Sequence, residues 1–223
     1  MNTYIILLAG GSGKRLWPLS TAVRAKHSLT ILPDGAGGYE SMLDRVYRQL
    51  RREFLHDPVV IATDSPQCER IRAHLGDTVH IVCEPARRDT FPAIILSSAY
   101  IADICGGSEE DIVIVIPVDV HAEQHYFSTI RRMRDLIADD RADLALMGIR
   151  PTDPSSRFGY ILPQKKDVDC PLIYRFIEKP DEQTAIQLIA QGACWNGGVF
   201  ACSLGYLMDE ARSRIGTSSY RIL

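Results

Sequence analysis

The chain has 223 residues, 46% of them hydrophobic and 24% charged, with a formal net charge of −3. That is enough apolar material for one large core or two small ones, and the charge balance gives no general pull toward nucleic acid or anionic lipid. The apolar start is too short, and lacks the leading positive charge, for a secretory signal, and no stretch approaches the ~20 apolar residues of a membrane span.

Six cysteines, at 68, 83, 105, 170, 194 and 202, include no Cys-x-x-Cys pair, and several sit in apolar runs. That usage fits reduced, buried thiols in a cytoplasmic protein better than a disulfide framework. No internal repeat, low-complexity tract or linker interrupts the chain.

In chain order, Tyr4 to Leu8 is an unbroken apolar run that reads as a buried, parallel strand. A glycine-rich loop follows, then Lys26 to Leu32 and a turn from Pro33 to Gly38. Ser41 to Phe54 has helical spacing, with Met42, Leu43, Val46, Leu50 and Phe54 on one side. Pro58 to Ala62 is a second strand, and Ser65 can cap a helix carrying Cys68 to Leu75. Val79 to Cys83 is a third strand, Pro92 to Ile104 an apolar helix, and Asp111 to Ile116 a fourth strand. Phe127 to Ala138 is a helix and Leu144 to Ile149 a fifth strand. Strand–helix alternation of this kind implies a doubly wound sheet covered on both faces. Ligands bind such sheets beyond the carboxyl ends of the strands, where the glycine loop, Glu84-Pro85 and Pro117-Val118-Asp119 all fall.

The loop reads Leu8-Ala9-Gly10-Gly11-Ser12-Gly13-Lys14-Arg15-Leu16-Trp17-Pro18-Leu19-Ser20. Its glycines let backbone N–H groups come close to a ligand, and successive N–H groups in one concavity bind anions. Arg15 adds a guanidinium able to grip phosphate oxygens in a bidentate fork. A Walker A loop is excluded, because Gly13-Lys14 is followed by Arg15 and not by a magnesium-holding hydroxyl. A dinucleotide fingerprint is excluded too, because Leu16 stands where Gly or Ala must allow close helix packing. What remains is a phosphate-handling loop of another kind.

This loop closely resembles the signature of the sugar-phosphate nucleotidyltransferases, in the branch of the mannose-1-phosphate guanylyltransferases, and Trp17 belongs to that branch's version. The resemblance covers nearly the whole chain. Lys26 stands where the family has Pro-Lys-Gln-Phe, here Ala25-Lys26-His27-Ser28. Glu84 to Ile94 resembles the block Glu-Pro-x-x-Arg-Asn-Thr-Ala-Pro-Ala-Ile, with Asp89 and Phe91 replacing Asn and Ala. Asp119 matches the strand-ending Pro-x-Asp, though both residues flanking it are valines. Gly148 to Thr152, Phe158 to Ile161, Phe176 to Pro180 and Trp195 to Phe200 then follow as four further family blocks in order.

The resemblance implies a Rossmann-like, three-layer α/β/α nucleotidyltransferase fold (GT-A-like) with a mostly parallel, mixed central sheet. It implies one catalytic domain over 1–223, with a nucleotide part at about 1–150 and a sugar-phosphate part at about 151–223. The reaction implied is GTP plus mannose-1-phosphate giving GDP-mannose and pyrophosphate. Arg15, Lys26 and Asp119 are the expected catalytic residues, with Asp119 also holding Mg2+. Leu8, Ala9, Gly10, Gly11, Ser12, Gly13, Lys14, Glu84, Arg88, Asp89 and Thr90 would line the nucleotide. Asp89 is open to two readings, accepting from guanine's N–H edge or capping the following helix. Gly159, Glu178, Lys179 and Asn196 would meet the sugar phosphate.

Two alternatives belong beside this. Arg24-Ala25-Lys26 is similar to the ADP-glucose branch, so glucose-1-phosphate with ATP or dTTP is one. A nucleotide- or sugar-phosphate-binding module without catalysis is the other. Nucleic acid is not an expected partner, because the arginines at 48, 51, 52, 131, 132 and 134 have acidic neighbours and no aromatic interleaving, and membrane is not one on the charge balance and the lack of an apolar span. A homodimer is left open. His121 and His125 stand four apart without a companion ligand and read as surface histidines, not a zinc pair. The family's second metal-binding aspartate, in a Ser-x-Asp-Tyr block beyond Phe200, has no counterpart here. The expectation is therefore an N-terminal piece of a longer enzyme, which alone binds GTP weakly and turns over poorly.

Overall fold

Strand β1 (Thr3–Leu8) is buried along almost its whole length and is hydrogen-bonded on both sides. In the computed structural model, which describes residues 1–11, 17–21, 25–76, 79–86, 88–164 and 170–223, two compact units emerge: 1–145 with 200–223, and 146–199.

In the first unit β1 lies between β4 (Val59–Asp64) and β6 (Ile112–Pro117), with β5 (His80–Glu84) beyond β4, all parallel. Leu8 is in register with Ala62 on one side and Pro117 on the other. Unbroken apolar runs suit these strands because helices cover both faces. On one face Tyr4, Ile6, Val60, Val113 and Val115 pack against Ile94, Ile95 and Ile101 of α3 (Thr90–Asp103). Leu204, Leu207 and Met208 of α6 (Leu204–Ile215) complete that core. The remaining helices are α1 (Met42–Glu53), α2 (Ser65–Leu75) and α4 (Gln124–Ala138). Here α1 packs on α4, α4 on β6, and α2 on β4 and β5. A reciprocal capping box between Ser41 and Asp44 starts α1. The last residues of β10 (Cys194–Ser203) run antiparallel to β6, from Phe200↔Val115 to Ser203↔Ile112. A short hairpin of β2 (Leu32–Pro33) and β3 (Tyr39–Glu40) completes the unit, and Glu40 accepts from Arg45 and Arg48.

The second unit is antiparallel. β8 (Tyr160–Pro163) pairs with β9 (Ile173–Ile177) and, through Tyr160 and Ile161, with Trp195 and Cys194 of β10. β7 (Leu144–Ile149) also pairs with β10. Helix α5 (Glu182–Ala190), capped by Asp181, contributes Ala185 and Leu188 to a small core around Tyr160, Leu162 and Ala193. The expected mixed, mostly parallel α/β fold is what the chain forms, with six α-helices among the described residues. None of those is long and apolar enough to cross a membrane.

Two local expectations need correction. Ser65 is not the cap of α2 but its first residue; its hydroxyl donates to the Glu84 carbonyl (3.2 Å). Cys68 and Cys83 are not reduced thiols: they form a disulfide, their Cα atoms 6.0 Å apart, joining α2 to β5. The β4–α2–β5 crossover lays the helix against the strand that follows it, so residues 15 apart in sequence become neighbours. Cys105, Cys170, Cys194 and Cys202 are free.

Asp111, just before β6, is almost wholly buried. Its carboxylate accepts from the backbone N–H of Asn2 (2.6 Å) and Ser108 (2.9 Å), while its carbonyl accepts from Leu204. Burial alone would raise its pKa, but the hydrogen bonds from Asn2 and Ser108 prevail and lower it. The folded-state value thus lies below that of the unfolded chain, ~3.9. The stabilisation is therefore present above that pH and is lost as pH falls through the folded value. Asp111→Ala should cost about 1–3 kcal/mol by orphaning buried N–H groups. Denaturant titration at neutral pH should show this deficit, and the gap to the unsubstituted protein should close as the solution is acidified below ~4.

Candidate functional site

The parallel register brings the carboxyl ends of β1, β4, β5 and β6 to one edge of the first unit. Ala9 extends β1 by donating to the Ala62 carbonyl (2.8 Å), and Val118 extends β6 by donating to Leu8 (3.2 Å). The Thr63 hydroxyl donates to the Ala9 carbonyl (3.2 Å). These bonds fix where the glycine loop leaves the sheet. Leu8 is half-buried, Ala9 buried, and Gly10 and Gly11 exposed. A Cβ on Gly10 would sit 3.2 Å from Glu84 Oε1, so the bare glycine leaves room for the Glu84 carboxylate beside the loop. Ser12, Gly13, Lys14 and Arg15 lie outside the described residues.

Past the loop, Lys26 opens a single 3-10 turn, Lys26–Ser28, held between buried Ala25 and Leu29. Its Nζ reaches the end of β6 and stands 2.5 Å from Asp119 Oδ2. The two side chains are 33% and 46% exposed. The next residue in the turn, His27, is one that pattern alone did not single out. It is buried, and burial foremost, with Lys26 adding to it against Asp64 and Asp119, lowers its pKa to about 4. It is thus a neutral imidazole at physiological pH. Tyr126, in the first turn of α4, was likewise not singled out. Its hydroxyl is buried without a hydrogen-bond partner among the described residues, and burial followed by the charge of Asp119 raises its pKa.

Arg88, Asp89 and Thr90 are exposed at the N-terminus of α3. Asp89, at φ 73°, accepts from the Thr90 N–H (2.9 Å), so of its two readings the capping geometry is present.

In the second unit the four candidates form a linked group. Asn196 N–H donates to the Gly159 carbonyl (2.7 Å), and its side-chain oxygen accepts from Gly198 (3.1 Å). A Cβ on Gly159 would lie 2.7 Å from Glu178 Oε2 and 2.8 Å from the tip of the Phe176 ring. Glu178 Oε1 in turn meets Lys179 Nζ at 2.9 Å, both side chains more than half exposed. Beside them the rings of Phe158 and Trp195 pack with centroids 4.7 Å apart.

For a divalent cation, Asp119 offers one partly exposed carboxylate at the strand edge. Among the described residues no three His, Cys, Asp or Glu side chains gather where they could hold a metal ion. His121 precedes α4 and His125 lies inside it, four-fifths exposed and 3.4 Å from Glu123. The donor set fits a cation shared with ligand phosphates, such as Mg2+ with one or two carboxylates, and not a closed protein cage.

The model of the nucleotidyl transferase family matches residues 4–219. The chain belongs to that family. Among relatives of this nucleotidyl transferase chain, the alginate biosynthesis protein AlgA of Pseudomonas putida is 27% identical over 221 residues. That match covers 95% of this chain and 43% of AlgA. The mannose-1-phosphate guanylyltransferase of Escherichia coli is 29% identical over 219 residues, covering 94% and 45%. The chain thus spans less than half the length of these curated relatives. A solved structure described as mannose-1-phosphate geranyltransferase of Thermus thermophilus superposes with a TM-score of 0.82 at 29% identity. The superposition covers 97% of this chain and 62% of that one.

Among Gly148, Gly159 and Gly197 of this nucleotidyl transferase's second unit, Gly159 is the most crowded. Gly159→Ala should displace Glu178 and the Phe176 ring, costing about 1–3 kcal/mol as overpacking does. Denaturant unfolding reads the loss; unchanged stability would show that both side chains swing clear.

Proposed function

We propose that this chain carries the nucleotide- and sugar-phosphate-handling residues of a mannose-1-phosphate guanylyltransferase, joining GTP and mannose-1-phosphate to give GDP-mannose and pyrophosphate. The observation that carries the reading is the meeting of Lys26 and Asp119 at the carboxyl edge of the parallel strands, in a chain of this family. The name of the Escherichia coli relative, at 29% identity, favours mannose and guanine over the glucose alternatives.

In this reading Leu8 to Lys14, Glu84, Arg88, Asp89 and Thr90 hold the nucleotide, with Gly10 giving its backbone N–H to phosphate oxygen. Gly159 and Asn196 contact the sugar ring, Glu178 accepts from its hydroxyls, and Lys179 meets its phosphate. A phosphate oxygen of the sugar phosphate attacks the α-phosphorus in line. The bond from that phosphorus to the bridging oxygen breaks, and pyrophosphate leaves with the electron pair. The attacking phosphate is already anionic at neutral pH, so no general base is required. His27, neutral and buried, is not offered as one. Catalysis then reduces to positioning and charge neutralisation. Arg15 and Lys26 offset charge on the α-phosphate and the leaving group. Asp119 would hold Mg2+, which supplies further neutralisation of the triphosphate.

A matrix of nucleoside triphosphates against mannose-, glucose- and N-acetylglucosamine-1-phosphate, read by pyrophosphate release, should give its highest rate with GTP and mannose-1-phosphate. A clear preference for ATP or dTTP with glucose-1-phosphate would reject that pairing, and no release with any pair would favour a binding module. Arg15→Ala and Asp119→Asn should each lower turnover by about two orders of magnitude or more, the scale of lost transition-state electrostatics. Circular dichroism should show both variants folded, and near-normal turnover would remove that residue from the site.

A further inference from the structure

Lys26 and Asp119 each have a task in the reaction proposed above, and the structure shows both engaged with each other. We propose that Lys26 is the resting occupant of the Asp119 carboxylate, and that a divalent cation gains that carboxylate only in company with the nucleotide phosphates that draw Lys26 away. The inference rests on the reading of Lys26 and Asp119 under Proposed function.

Three observations support it. The ammonium is in contact, 2.5 Å from Oδ2, and not merely nearby. A dication approaching the same carboxylate would face a positive charge at short range, where repulsion varies inversely with distance. Phosphate oxygens placed between the two cations remove the conflict, because they attract both. Second, among the described residues no three His, Cys, Asp or Glu side chains gather where they could hold a metal ion, so no such cluster competes with Asp119 for a lone cation.

Third, the surroundings let the side chain move while the backbone stays. Ala25, His27 and Leu29 are buried around the 3-10 turn, so the Lys26 backbone is anchored. Its four-carbon stem is flexible, and both partners remain partly in water. Contact pairs exposed to this degree are held by about 1 kcal/mol or less, so the exchange is within the reach of a triphosphate. The neighbouring His27 does not replace the departing cation, because it stays neutral: burial holds its pKa at about 4. The Tyr126 hydroxyl stays protonated and has no partner among the described residues, leaving a buried O–H donor within the electrostatic reach of the freed carboxylate.

The test is Mn2+ binding without nucleotide, read by the electron paramagnetic resonance of free Mn2+. It compares the unsubstituted chain with Lys26→Met, Lys26→Gln, Asp119→Asn, Lys26→Met/Asp119→Asn and Arg52→Ala, the last removing an exposed charge on α1 that has no part in the proposed site. Both single Lys26 variants should bind Mn2+ roughly three- to tenfold more tightly, the scale of a broken contact pair plus a removed repulsion. The gain should disappear in the double variant, and Arg52→Ala should behave as the unsubstituted chain. No gain in either Lys26 variant would overturn the proposal. If Asp119→Asn still weakened binding of the Mn2+–GTP complex, the metal role of Asp119 would stand without it. A gain that survives Asp119→Asn in the double variant would overturn the proposal and that metal role together. An equal gain in Arg52→Ala would show an effect of net charge alone, and would also overturn it.

Discussion

The register of β1 is the constraint on which the first unit depends. Leu8 is paired with Ala62 on one side and Pro117 on the other, so the chain leaves β1 and β6 at the same level. Side chains alternate between two covered faces, and a slip of one residue would exchange Tyr4 and Ile6 with Ile5 and Leu7 throughout. Asp111 ties the other ends of these strands together by holding Asn2, Ser108 and Leu204. With both ends fixed, the glycine loop, Glu84 and Asp119 have little freedom in where they emerge.

The charged groups at the candidate site follow a different logic from the core. Among the described residues each unit carries one lysine–carboxylate contact, Lys26 with Asp119 in the first and Lys179 with Glu178 in the second. All four side chains are a third to two-thirds exposed. Such pairs contribute little to stability, whereas two arginines of α1 are committed to structure. Arg45 and Arg48 both bind Glu40, which is almost fully buried and whose pKa they depress against the opposing effect of burial. Lysine suits the first situation and arginine the second, since a flexible ammonium changes partners more easily than a planar fork.

The fold was largely legible because its signals are local. Unbroken runs such as Tyr4–Leu8 and Asp111–Ile116 can be little other than buried strands, and the helix from Ser41 shows its cap and its stripe together. The grouping of Gly159, Glu178 and Asn196 was legible only through family likeness. It depends on a glycine's missing Cβ and on strand pairing between distant segments. The Cys68–Cys83 bond escaped notice for the same reason, since a crossover and not a spacing motif makes those residues neighbours. His27 and Tyr126 were hidden by their sequence neighbours. A histidine beside a lysine, or a tyrosine opening an amphipathic helix, reads as surface until burial is known. Asp89 shows the limit from the other side, because one residue type serves a helix cap and a base contact equally well.

The course of the backbone carries a consequence for biosynthesis. The first unit is interrupted in sequence: residues 146–199 form the second unit, and the chain then returns through β10 to add α6. Until Leu204, Leu207 and Met208 arrive, the face of α3 bearing Ile94, Ile95 and Ile101 lacks part of its cover. A nascent chain therefore cannot finish its larger unit in the order it is made. At about 5–20 residues per second, the parallel strands wait for seconds without the end of β10 and α6 while the smaller insertion is synthesised. The smaller unit, contiguous and antiparallel, faces no such wait and can complete its own core first.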